Sequence, residues 1–165
     1  MKKRNTYLFL PVFLGLFLFV GSCATHPVAL DLVDYVNQGI IGIAELERRS
    51  LKSYASVTGK NYTTAERVYK ALKNDVIPQY RRFLELLREI SPETEDVMKL
   101  HHIYIRGAEY LLSGFKAKMV GIETKQEPLI RVANRQIEKG RIETEKWARE
   151  LADLYHKYGV VEKKK

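Results

Sequence analysis

Beyond residue 30, apolar residues recur every three or four positions through four successive segments of the chain. That spacing turns one face of an α-helix toward a core and leaves the opposite face to water. The first segment, about 30–57, carries Leu32, Val36, Ile40, Ile43, Leu46 or Glu47, Tyr54 and Val57 on its stripe, against Asp34, Glu45, Arg48, Arg49 and Lys52 opposite. The second, about 64–90, reads Tyr69, Leu72, Val76, Tyr80, Phe83, Leu87 and Ile90. The third, about 92–121, reads Val97, Leu100 or His101, Tyr104, Ala108, Leu111, Phe115 and Met119. The fourth, about 125–158, runs from Ile130, Ala133, Ile137, Gly140 and Thr144 to Trp147 or Ala148, Leu151, Leu154 or Tyr155, and Tyr158. No segment sustains the period-two alternation of a half-buried strand.

Local signals divide the stripes. Gly59 and Asn61 make a turn, and Thr63 with Glu66 has the spacing of a capping box. Pro78 lies inside the second stripe without breaking its phase, which predicts one kinked helix. Ser91-Pro92-Glu93 restarts a helix with a cap, a proline at the first position and an early acid. Gly121 is expected to close the third helix, and Thr124 with Glu127 repeats the box before Pro128. Gly140 is either a weak point or a place of close helix approach. Gly159 caps the fourth helix, with Val160 folded back on its last turn. Four helices of similar length joined by short turns predict an all-α, antiparallel up-down four-helix bundle over 30–160. An even number of passes brings both termini to the same end.

The segment before the bundle has a different character. Lys2, Lys3 and Arg4 precede a 14-residue uncharged run, Tyr7 to Val20. A charged start and a short apolar stretch have the layout of a secretory signal, and the run falls short of the ~20 residues of a spanning helix. Val20-Gly21-Ser22-Cys23 then resembles the lipobox of bacterial lipoproteins: an aliphatic residue, two small residues and the chain's sole cysteine. The resemblance implies cleavage between Ser22 and Cys23, removal of 1–22, and acyl chains on Cys23, with residues 23–29 as a short tether. Two or three buried acyl chains, at about 0.8 kcal/mol per CH₂, make a lasting membrane anchor. It also implies a place in the cell envelope, facing away from the cytoplasm. Ala24 after the cysteine favours the outer membrane where there are two.

Length and composition narrow the rest. The 165 residues suit one domain, and 29% charged with 45% apolar residues excludes wholesale disorder. One cysteine allows no internal disulfide and no cysteine-based zinc site. Without 1–22 the chain keeps 25 Lys+Arg against 20 Asp+Glu, a net +5, which does not call for nucleic acid. The last residues, 161–165, form a basic tail in which Lys163, Lys164 and Lys165 are candidates for contact with anionic headgroups.

Candidate chemistry in the bundle is sparse. Glu-x-x-His, the signature of carboxylate-bridged di-iron bundles, does not occur, nor does Cys-x-x-Cys-His for covalent haem. No Gly-x-Ser-x-Gly, P-loop or His-Glu-x-x-His motif is present, so no catalytic residue, metal site or cofactor is expected. His101, one turn before Tyr104, is the one candidate for a small ligand, metal or haem within the bundle, and His101 and His102 point about 100° apart. Tyrosines and arginines, including the pairs Arg48-Arg49 and Arg81-Arg82, are the residues that would bind an envelope partner. The expected function is therefore a non-enzymatic, membrane-anchored binding or structural module, with ligand binding near His101 as the alternative and an envelope enzyme as the third reading.

Overall fold

The computed structural model describes residues 26–160; the signal segment, Ser22, Cys23 and the tail lysines Lys163, Lys164 and Lys165 lie outside the described residues. Within them the chain forms an all-α four-helix bundle. Helix α1 spans 27–55, α2 spans 65–89, α3 is Glu95–Glu123 and α4 is Glu127–Lys157. No strand occurs among the described residues, and no helix there is long and apolar enough to cross a membrane.

The stripes meet in one core. Leu32, Ile40, Leu72, Val76, Phe83, Leu87, Val97, Ala108 and Phe115 are almost wholly removed from water. Tyr80 packs edge-on against both Phe83 and Phe115, at 5.3 and 5.5 Å between ring centroids. Such arrangements suit the ring quadrupole.

Both first-half helices contain a widened turn. In α2 the stretch Leu72–Val76 is π-helical, and the Ile77 N–H bonds back five residues to the Leu72 carbonyl. Pro78 follows directly, at the start of the α-helical stretch Ile77–Glu89. A proline clashes with the carbonyl four residues earlier, so the wide turn gives its ring room and the helix continues. The wide turn is the form that the expected disturbance takes. In α1 the π-helical stretch is Tyr35–Ile40, with no proline to announce it. It turns Tyr35, Val36 and Ile40 inward, while Gly39 admits the Ile90 side chain, 3.1 Å from where a Cβ would stand.

Several expected caps move. Helix α2 is capped by Thr64, whose hydroxyl accepts the Arg67 N–H at 3.2 Å; with Arg67 three residues on, the reciprocal box expected for Thr63 and Glu66 does not form. Gln126, not Thr124, precedes α4. Gly121 does not end α3. The helix closes at Glu123 with Lys125 in the left-handed region (φ 54°), and the Gln126 N–H returns to the Gly121 carbonyl at 2.8 Å. The chain closes as expected at Gly159 (φ 66°), where the Val160 N–H reaches the Tyr155 carbonyl at 2.9 Å.

The start of α3 is held from afar. Thr94 makes no cap bond of its own; instead Asp31 of α1 accepts the Thr94 N–H at 2.7 Å, the Thr94 hydroxyl at 2.5 Å and the Glu93 N–H at 3.2 Å. Removing the carboxylate leaves those part-buried donors unpaired. Asp31→Ala is therefore expected to cost about 2 kcal/mol in urea unfolding, and a change below about 0.5 kcal/mol would show that water replaces it.

Helices α3 and α4 touch backbone to backbone. A Cβ on Gly107 would stand 3.1 Å from the Thr144 nitrogen, one on Gly114 2.9 Å from the Ile137 nitrogen, and one on Gly121 3.1 Å from the Ile130 nitrogen. Gly140 answers from α4, with the Gly107 carbonyl 2.8 Å from its absent Cβ. The glycines recur every seven residues along α3, two turns apart, and so line one seam. At the opposite ends of the described chain, the rings of His26 and Tyr158 touch at 4.6 Å.

Candidate functional site

Polar side chains converge in the middle of this apolar core. Glu47 projects inward from α1 and is only 9% exposed. The Tyr104 hydroxyl of α3 donates to its Oε2 at 2.5 Å, and the Tyr80 hydroxyl of α2 to its Oε1 at 3.3 Å. Tyr104 stacks on Trp147 of α4 at 4.1 Å, nearly parallel at 17°. The Trp147 Nε1–H donates to the Tyr35 hydroxyl at 3.2 Å, and that hydroxyl lies 3.4 Å from His101 Nδ1. All four helices thus contribute to one buried cluster. A third side chain from α1, Ser50, donates its hydroxyl to the Val76 carbonyl at the end of the α2 wide turn, at 2.9 Å.

Local sequence explains the placement. Residue 47 continues the Ile40–Ile43 stripe one turn on, so its side chain enters the seam and Leu46 is left half-buried at its edge. The wide turn at Tyr35–Ile40 sets Tyr35 facing α3 and α4, where His101 meets it edge-on at 5.5 Å. Three of the four residue pairs left open by periodicity place a residue in the cluster: Glu47, Trp147 and His101 are buried, although Leu100 is buried beside the last, while Leu154 and Tyr155 are both half-buried.

Burial governs the protonation of these groups. Loss of solvent pushes the Glu47 carboxyl up to about 7, against the two phenolic donors that favour its ionised form. The same burial, reinforced by the Glu47 charge, holds Tyr80 and Tyr104 well above the ordinary phenol range. Burial lowers His101 to about 4; the neighbouring His102 adds to this and the Ile90 carbonyl opposes it. Its Nε2 makes no hydrogen bond of good geometry. At neutral pH the cluster therefore holds a neutral imidazole, neutral phenols and a carboxyl near its titration point. No cation side chain bonds to Glu47 among the described residues.

The two residues singled out as a ligand site, His101 and Tyr104, thus sit in the same cluster and reach each other through Tyr35 and Trp147. Both are almost fully covered, and Trp147 fills the space over the Tyr104 ring. Among the described residues, no group of three or more His, Cys, Asp or Glu side chains is placed to hold a metal ion.

The basic pairs lie outside. Arg48 and Arg49 both bond to Glu45 at 2.6 Å and hold its carboxyl down to about 2. With Lys52, Ser53 and Ser56 they line a shallow, open hollow on the outer face of α1. Arg81 and Arg82 are exposed on α2, and Arg82 pairs weakly with Glu85 at 3.4 Å. Such exposed pairs contribute little to stability.

Periodicity had already put Tyr104 on a stripe, and it offered Glu47 and Trp147 as alternatives. It gave no sign of Tyr35, because the stripe through Leu32 and Val36 follows an α-helical period that the wide turn changes. No family model, curated protein or solved structure matches the chain.

Proposed function

We propose that the protein is a bacterial lipoprotein anchored through Cys23, whose bundle serves the cell envelope as a non-enzymatic binding or structural module. Its helices run up-down-up-down. Support for that order comes from residue pairs that run in opposite senses between neighbours: Glu47 with Tyr80 and Ser50 with Val76, Arg88 with Glu109 and Tyr69 with Glu123, Gly107 with Thr144 and Gly121 with Ile130.

The observation that carries the reading is the sequence Val20-Gly21-Ser22-Cys23 behind its charged, apolar leader, three residues from a helix end that touches Tyr158. The acylated cysteine would hold the end bearing His26, Leu30 and Tyr158 at the lipid surface, with the outer membrane favoured by Ala24. Lys163, Lys164 and Lys165 follow Tyr158 closely and would lie within reach of the same headgroups. A non-enzymatic role is favoured by a cluster whose polar atoms are turned on one another beneath Trp147 rather than toward solvent.

Cys23→Ser tests the anchor. Radiolabelled fatty acid should enter the native protein and be absent from the variant, which should also leave the membrane fraction. Equal labelling of both would overturn the reading.

A further inference from the structure

Charge is divided unevenly along the bundle. Cutting each helix at its midpoint separates residues 41–77 and 110–142, which hold the loop after α1 and the turn between α3 and α4, from the other described residues. The first group contains 14 Lys+Arg against 7 Asp+Glu, a net +7; the second contains 8 against 12, a net −4. The first group is gathered at one end by contacts among all four helices. The Tyr69 hydroxyl donates to Glu123 and the Lys118 ammonium to the Tyr54 hydroxyl, each at 2.8 Å, while Gly121 abuts Ile130.

The same end exposes Tyr62 (56%), Val120 (40%) and Val132 (39%) among its cations. We infer that this loop end, remote from His26 and Tyr158, docks on a bilayer surface of anionic lipid. Several features favour lipid over a protein or polymer. Eight of the 14 cations are lysines, and of these Lys60, Lys73, Lys116 and Lys125 are exposed point charges, which suit diffuse contact with headgroups rather than the bidentate recognition that arginine provides. Tyr62 has the amphipathic ring that settles at headgroup depth. The other described residues carry net −4, so within the described bundle the loop end is the one that such a surface attracts. Each basic residue near such a surface adds up to about 1 kcal/mol of attraction, acting within a Debye length of about 8 Å.

The inference stands on the charge pattern and does not need the lipid on Cys23. With the proposed anchor at the other end, it makes the protein a bridge between two surfaces, or a rod drawn down onto its own membrane.

The test uses the mature chain, held through the acylated Cys23 in vesicles of neutral phosphatidylcholine, with capture of a second, protein-free vesicle population as the readout. A protein that fails to enter the neutral vesicles reports on the anchor, before any docking is measured. Captured vesicles should contain phosphatidylglycerol, and vesicles of phosphatidylcholine alone should stay free. Capture should vanish at roughly 1 M salt, where screening acts over about 3 Å. The triple variant K60E/R67E/K116E should reduce capture by about tenfold or more, and R81E/K146E/R149E, an equal charge change in the other half, should not. Circular dichroism of both variants checks that they remain folded. Capture that is absent at low salt, equal for the two triple variants, or shown only toward an acidic polymer would overturn the inference.

Discussion

Gly140→Val is expected to lower the stability of the bundle by about 2–3 kcal/mol, the upper part of the range for overpacking. The first added carbon would stand 2.6 Å from Leu111 Cγ, 2.8 Å from the Leu111 nitrogen and 2.8 Å from the Gly107 carbonyl oxygen. A leucine can rotate away, but two of the three neighbours are backbone of α3, and they move only if the whole helix moves. Valine has a better helix propensity than glycine, yet this returns less than about 1 kcal/mol. Gly42 supplies the control. It lies in the same kind of helical setting on α1, is exposed, and has nothing within 4 Å of its absent Cβ. Gly42→Ala should gain about 0.5–1 kcal/mol through chain entropy alone. Urea midpoints at unchanged slope would measure both. If Gly140→Val unfolds at the native midpoint, the two helices are not in backbone contact.

Glu47→Gln should be more stable than the native protein at pH 8, by roughly 3 kcal/mol, and indistinguishable from it near pH 4. The sign follows from the direction of the shift. The Glu47 carboxyl is raised from 4.5 to about 7 in the folded protein, so the folded state holds its proton longer than the unfolded chain does. Stability from this group is complete below pH 4.5 and is lost as pH rises through 7. Glutamine keeps the shape. Its carbonyl accepts from Tyr104 while its amide donates to the Tyr80 oxygen, so the cluster stays paired without a buried charge. His101 acts in the opposite sense, because its folded value is lowered to about 4 and its contribution is lost as pH falls below 6.5. Between about pH 4.5 and 6.5 the two slopes oppose one another, which is why the difference between variant and native protein is the quantity to measure. A constant difference from pH 4 to pH 8 would show that Glu47 titrates normally.

Helix α3 was legible because its apolar spacing never lost phase: Val97, Tyr104, Ala108, Leu111 and Phe115 are all buried, as their stripe requires. What the spacing left open was decided by three dimensions. Whether Leu46 or Glu47 faces inward depends on the partners that await a carboxylate, and Tyr80 and Tyr104 come from other helices. The wide turn of α1 has no local signal, whereas that of α2 could be anticipated from Pro78. Gly121 looked like a terminator since an isolated glycine near a helix end reads the same whether it caps or packs. Its spacing of seven from Gly114 and Gly107 was the available clue. Thr94 could not reveal that its cap is Asp31, 63 residues earlier.

The Trp147–Tyr35 hydrogen bond joins positions 112 residues apart. During synthesis the first helix emerges early with Tyr35 and Glu47 already committed to its inner face, while the indole that completes the cluster is made almost last. Glu47 and Ser50 can meet Tyr80, Tyr104 and Val76 before then, but the Tyr35 hydroxyl has no indole donor, so a nascent chain stopped short of residue 147 leaves that corner of the cluster open.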